Sequence, residues 1–316
     1  MHLMIPCAGA SGEASAHAAS QLRLPNLSAL LGRLAPAEPS VSGDEFSLNT
    51  PAEQWLAQLR GWSGEAAATG CLPTAAWRRS EAQLPASPLP WALLTPLHLS
   101  VASDGVTALD PRLLELQAAE SRELFDALAE LFPAAEGWQR EWLSPLEWLV
   151  AHETLDGLPC ASLERVINRD VDTWMPQARS MRTLQNEIQM LLHRAQPNTE
   201  REVRGALVVN SVWISGCGRA AQIAPLPPGL SIDSRLQAAF LAGDWASWCE
   251  GWQALDAGPL RELLDAARAG RRDIALTLCG ERHARTWRPT ERALLTRLWH
   301  AIAAPHADVA AELEAL

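Results

Sequence analysis

Apolar residues fall in two rhythms along this chain, and each predicts a different element. Leu27, Leu30, Leu31 and Leu34 recur at helical spacing after Pro25, so "PNLSALLGRL" predicts a helix with proline in its first turn. The same period runs through "PAEQWLAQLRGW", "RTLQNEIQMLLHRA", "SIDSRLQAAFLAG", "GPLRELLDAARAG" and, near the far end, "PTERALLTRLWHAIAA". It is strongest in "DPRLLELQAAESRELFDALAELF", which carries acids early and a proline after its end. Short unbroken apolar runs behave differently. Those at Leu3 to Ile5, "WALLTPLHLSV", Val209 to Ile214 and "RRDIALTLCGE" predict buried strands. "GWQREWLSPLEWLVAHE" alternates aromatic and polar residues like a hairpin, whereas "DWASWCEGWQALD" fits neither period. Residues 35 to 90 are rich in Pro, Ser, Gly and Ala, with one helix among loops. Strands alternating with helices imply an α/β fold on a largely parallel sheet, and no repeat is visible.

Composition narrows the function classes. The 316 residues suffice for two modest domains or one large one. All 26 basic residues are Arg, and the net charge of -11 argues against a nucleic-acid binder, which needs a basic surface. The six cysteines are far apart with no CxxC or Cys/His ligand spacing, so they read as reduced thiols in a cytoplasmic protein. "MHLMIPCAGA" has no basic lead, and Pro6 interrupts its apolar run; no stretch is long enough to span a membrane.

The chemistry candidates centre on "VNSVWISGCGR". One reading is a buried strand and tight turn, with Gly216 and Gly218 taking backbone angles other residues resist. The other is the rim of a pocket for a small anionic metabolite. Ser215, Gly216 and Gly218 would offer backbone N–H groups, and Asn210 and Arg219 polar contacts, beyond the strand's carboxyl end. Gln185 and Asn186 would be orienting amides if their helix borders that pocket. Glu281 and His283 follow another strand end and are candidate metal ligands, although two ligands are too few for a site. Cys7 and Cys279 also sit near strand ends, as reactive thiols or as small buried hydrophobes. His98, His152 and His193 are scattered, with no carboxylate and nucleophile at a recognisable spacing. The Asp172 region reads as a hinge or a binding segment. The 14 tryptophans cluster at Trp138 to Trp148 and Trp245 to Trp252, as core or as a patch for a protein partner.

Several of these pieces, in this order, resemble archaeal-type cofactor-independent phosphoglycerate mutases of the alkaline-phosphatase superfamily. "LPNLSALLGRL" is similar to the T-P-N-L-D-x-L-A segment after that family's first strand. "LTPLHLSVASDGVTALDPRLLELQAAESRELFDAL" resembles the start of its inserted domain, and "LERVINRDVDTWMP" stands where the family has a segment ending in Asp-Pro-His. "QPNTEREVRGALVVNSVWISGCGRAAQIAPLP" resembles its run H-P-x-N-x-x-R-x-x-G followed by an asparagine and a G-x-G. Asn198, Arg201, Gly205, Asn210, Gly216 and Gly218 fall on that pattern, and the resemblance implies Asn198 and Arg201 as further ligand-binding residues of the same pocket. The overall shape resembles more closely still the proteobacterial regulatory proteins of the pathogenicity-factor E type.

The resemblance implies a discontinuous main domain, residues 1–85 and 180–316, with an alkaline-phosphatase-like, mostly parallel sheet and helices on both faces. Residues 86–179 would be a smaller α+β insert. It also implies two divalent metals and a phosphorylated Ser, and here the chain departs from the family. The family's D-G-x-G-D reads Pro6-Cys7-Ala8-Gly9-Ala10, its H-x-G-H-D-G loop reads "CEGWQALDAGP", and its T-x-D-H-S-T-P reads "LTLCGERHARTW". The expectation is a catalytically impaired relative without cofactor, acting as a regulatory or ligand-sensing module. The alternatives are a protein-interaction scaffold, or an active Mn- or Mg-dependent phosphomutase or phosphatase. Ligands for the latter would come from Glu13, Asp44, Glu45, Asp256, Glu281 and His283.

Overall fold

The computed structural model describes residues 1–9, 11–44, 46–62, 71–103, 105–219, 224–289 and 307–316. In chain order the strands among them are β1 (His2–Ile5), β2 (Ala35–Ser42), β3 (Trp91–Leu97), β4 (Leu99–Ala102), β5 (Gly105–Ala108), β6 (Gln139–Ser144), β7 (Glu147–Ala151), β8 (Ser211–Gly218), β9 (Leu230–Ile232), β10 (Ala275–Cys279) and β11 (His283–Arg288). They belong to two units of a mixed α/β chain.

The first unit comprises Met1–Phe46, Thr50–Gly61 and Ala224–Leu316. Its sheet runs β2-β11-β10-β1-β9, with β1 parallel to both β10 and β9 and the β10, β11 and β2 pairings antiparallel. Period two sorts the side chains of β1 and β10. Leu3, Ile5, Leu276 and Leu278 pack with Leu27 and Leu30 of the helix Pro25–Leu31 and with Trp248 and Trp252. Met4 and Cys279 pack with Val41, Ala284 and Trp55. The stretch without a clear period is a helix, Trp245–Leu255, started by Asp244, whose side chain accepts from the Ser247 N–H. Its Trp245, Trp248 and Trp252 stand edge to face in succession, so aromatic bulk blurs its polar face.

Between Trp55 and the sheet runs a chain of polar groups. The His2 ring nitrogen lies 2.8 Å from Thr277 Oγ1, which lies 2.9 Å from Thr286 Oγ1, and Thr286 donates to the Pro39 carbonyl at 2.8 Å. Burial, then the nearby Arg288 charge, hold the His2 pKa down to about 4 from its usual 6.5. The unfolded chain therefore takes up this proton more readily than the folded one. His2 contributes its full stability above about pH 6.5 and loses it as pH falls towards about 4. The melting temperature of His2→Gln should fall less steeply than that of the native protein over this window; parallel curves would clear His2 of the effect.

The second unit comprises Ser47–Asn49 and Trp62–Ile223. It holds the four-stranded sheet β6-β7-β3-β8, antiparallel throughout, and the ribbon β4-β5. The hairpin expected from "GWQREWLSPLEWLVAHE" is β6-β7. The strand at Val212 to Ile214 corrects the expectation of a parallel main sheet around it. β8 is the end strand of this sheet and runs antiparallel to β3. The unit boundaries also differ from the expected 85/86 and 179/180. The helix Arg179–Arg194 lays Met181, Ile188 and Leu192 against Val212 and Ile214, and the start of the helix Thr74–Glu81 presses on β8. Both helices therefore belong with β8. The last expected helix, "PTERALLTRLWHAIAA", falls almost wholly outside the described residues, as do Ala10 and Glu45.

Candidate functional site

The glycine stretch after Ser215 is a bulge in β8. Leu93 pairs with Ser215 and Trp91 with Gly218, so Gly216 and Cys217 together face Ala92. Gly216 has φ +65, and a Cβ there would stand 2.2 Å from Thr74 Oγ1 and 2.7 Å from the Ala75 nitrogen. Gly218, at φ +146, is less crowded: a Cβ there would stand 3.2 Å from Pro73 Cβ. Bulge geometry and the close approach of residues 73–75 account for both glycines. Ser215 is buried within the strand. Arg219 is half-exposed and already matched. Its Nε donates to Asp156 Oδ2 at 2.9 Å, and its other nitrogens donate to the Glu153 carboxylate and the Pro88 carbonyl. Those two carboxylates raise its pKa further. An anion at this guanidinium competes with both.

The remaining residues of the expected pocket serve the chain itself. Asn198 donates to the carbonyls of Leu192 and Val209 at 2.8 and 2.7 Å and accepts from the Val209 N–H at 2.9 Å. Arg201, 1% exposed, donates to the Leu207 carbonyl at 2.7 Å, to Glu120 at 2.9 Å and to the Leu114 carbonyl. Asn210 brackets Leu99, accepting from its N–H at 2.7 Å and donating to its carbonyl at 2.9 Å. Gln185 is buried and donates to the Val212 carbonyl at 3.3 Å, while its Oε1 has no hydrogen-bond partner. Asn186 is exposed on the same helix. The motif spacing therefore places side chains that bind the backbone on either side of β8.

In the first unit, the carboxyl ends of β1 and β10 are the place where an open α/β sheet holds ligands. Cys7 follows β1 with φ +56, an uncommon angle for a side-chain-bearing residue, and its carbonyl accepts from Trp248 Nε1 at 2.9 Å. Ala8 N–H donates to the Cys279 carbonyl at 2.8 Å. Cys279 is fully buried, and burial drives its thiol well up. Directly over these ends lies the chain's own segment 313–316. A Cβ on Gly9 would stand 2.1 Å from the Leu313 carbonyl oxygen, and one on Gly280 would stand 2.5 Å from Leu316 Cβ. The Leu316 carbonyl accepts from the Arg282 and His283 N–H groups, the first at 2.9 Å. Val309, Leu313 and Leu316 are spaced four and three residues apart, the helical signal that could have found this segment, and the helix Val309–Glu314 carries the first two.

Among the described residues, the candidate donors do not gather as a two-metal centre needs. Pro6, Cys7, Ala8 and Gly9, which follow β1, carry no carboxylate. Asp256 is buried and caps the helix Pro25–Leu31, accepting from the Leu27 N–H at 2.8 Å, the Asn26 N–H at 3.2 Å and the Asn26 side chain at 3.1 Å. Glu281 accepts from the Ser11 N–H at 2.9 Å, and Asp44 from the Phe46 N–H at 3.0 Å. Glu13 lies in the first turn of a helix. Burial, then Arg285 and Arg282, lower the His283 pKa. Among the described residues, no three His, Cys, Asp or Glu side chains converge as metal ligands would. Of the other histidines, His98 contacts the Val208 carbonyl, His152 stacks on Trp138 and His193 is exposed.

No helix among the described residues is long and apolar enough to cross a membrane. No protein-family model and no curated protein matches the chain. Among solved structures, the chain is similar to a cofactor-independent phosphoglycerate mutase from Thermoplasma acidophilum, at 13% identity and a TM-score of 0.36, over 93% of this chain and 90% of that one. It is also similar to the PH0037 protein from Pyrococcus horikoshii, at 9% identity and a TM-score of 0.46, over 91% of this chain and 86% of that one.

Proposed function

We propose that this chain is a phosphoglycerate-mutase-like protein that no longer carries out phosphoryl transfer and acts as a regulatory or ligand-sensing module. One observation carries the reading: Leu313 and Leu316 cover Gly9 and Gly280 at the ends of β1 and β10. A two-metal phosphomutase needs that place open, with oxygen and imidazole ligands neutralising the attacking and leaving oxygens. Here backbone N–H groups and two glycines receive the chain's own residues instead. The sequence resemblance to regulators of the pathogenicity-factor E type supports the regulatory half. A protein or a small anionic metabolite is the partner that reading calls for.

The test is an assay of the purified protein with 2- and 3-phosphoglycerate and an aryl phosphate ester, with added Mn²⁺ or Mg²⁺. The expected outcome is no turnover and no rise in melting temperature with metal, because a specifically bound ion would stabilise the native state by mass action. Metal-dependent turnover above the background rate would overturn the proposal.

A further inference from the structure

Three of the six cysteines gather in the second unit, and the regulatory reading uses none of them. The sulfurs of Cys160 and Cys217 lie 3.6 Å apart in its core without a disulfide. A covalent S–S bond needs about 2.05 Å, so the pair must close by roughly the difference. Both residues stand where the chain can give. Cys217 is in the β8 bulge between Gly216 and Gly218, and Cys160 lies in the irregular stretch 158–162. Cys71 reaches the same place by two routes. It precedes by two residues Pro73, which packs against Gly218, and its thiol donates to the Gly157 carbonyl, three residues before Cys160, at 3.4 Å. Cys71 is half-buried, whereas the other two sulfurs are enclosed. The hydrogen bond to Cys160, then burial, hold the Cys217 thiol well above its ordinary range, so it is a poor first target for an oxidant.

We propose that these three residues form a thiol-oxidation site, in which a hydroperoxide reacts at Cys71 and the oxidation comes to rest as a reversible Cys160–Cys217 disulfide. The Cys71 thiol gives its proton to solvent and its thiolate attacks the peroxide; the O–O bond breaks, leaving Cys71 sulfenic acid and an alkoxide that takes a proton back from solvent to become an alcohol (water, for hydrogen peroxide). The Cys217 sulfur displaces the sulfenic oxygen, which leaves as water with the thiol proton, and a Cys71–Cys217 bond forms. Cys160 then attacks the Cys217 sulfur, and Cys71 departs as a thiol carrying the Cys160 proton. In sum, two electrons and two protons pass from Cys160 and Cys217 to the peroxide, and Cys71 is restored. The new bond ties β8 to a loop 57 residues away, which reduces the freedom of the unfolded chain.

Hydrogen peroxide is the probe. The full chain is treated, alkylated in denaturant, and its peptides are mapped by mass spectrometry with and without reductant. The expected product is a Cys160–Cys217 linked peptide pair that dithiothreitol releases, with a melting temperature several degrees above that of the reduced protein. Cys160→Ala and Cys217→Ala should each remove the pair; the first is the cleaner variant because it leaves the β8 bulge intact. Cys71→Ala should slow its appearance at least tenfold without changing the product, and Cys249→Ala should change neither. Cys160 and Cys217 both recovered alkylated after oxidation, a stable link of either to another cysteine, or a Cys71→Ala variant that reacts at the native rate would overturn the proposal.

Discussion

Arg201→Ala should destabilise the protein by about 3–5 kcal/mol in urea unfolding, the range for breaking a buried ion pair from one side. The side chain is 1% exposed, and each of its three nitrogens donates a hydrogen bond. Its Nε holds the Leu207 carbonyl, one terminal nitrogen holds Glu120, and the other holds the Leu114 carbonyl. Truncation leaves two carbonyls without their donor and opens a void the size of a guanidinium. Arg204 shares Glu120 but is half-exposed, so Arg204→Ala should cost at most about 1 kcal/mol. The contrast separates a structural arginine from a ligand-binding one. If Arg201→Ala were as mild as Arg204→Ala, the residue would be available for recognition after all.

Asp256→Ala should cost about 3 kcal/mol, for a different reason. The helix Pro25–Leu31 begins at Leu24, which has no side chain to cap it, and proline fills its first turn. Asp256, 230 residues away, supplies the missing acceptor for the Asn26 and Leu27 N–H groups and places a carboxylate at the positive end of the helix. Each buried N–H left without a partner costs roughly 1–3 kcal/mol. Asp256→Asn keeps one acceptor oxygen and should lose about half as much. An aspartate held in place for a metal would behave otherwise, since its removal in metal-free buffer would leave stability unchanged or raised.

The sequence is legible where one period dominates and where local chemistry marks an end. Pro25 with its leucines, the hairpin through Trp142 and Trp148, and the run Ala275–Cys279 all form the elements their patterns predict. β8 is legible as a strand but not in its direction, because Val212, Trp213 and Ile214 are buried on both faces and such runs look alike in either sense. The glycines of its bulge announce unusual backbone angles, yet only Pro73, Thr74 and Ala75 show why. Asn198 and Arg201 lie on a recognisable spacing, but spacing cannot say whether an amide faces a ligand or a neighbouring carbonyl. Asp256 reaches Leu27, and Leu313 reaches Gly9, across more than 200 residues of chain, and no local signal carries such contacts.

The position of β1 between β10 and β9 sets the order in which the chain can be completed during synthesis. Its two neighbours, β9 and β10, are its hydrogen-bonding partners, and neither is made until residues 230 and 275. At about 5–20 residues per second, the roughly 270 residues separating β1 from β10 take on the order of 15–55 s to appear. The second unit, by contrast, is almost entirely contained between Trp62 and Ile223 and can close while translation continues. Leu3, Met4 and Ile5 therefore stay unpaired until β9 emerges and lack their β10 partner until the end of that interval, and the β1 segment is where holding by a chaperone would raise the yield of folded protein most.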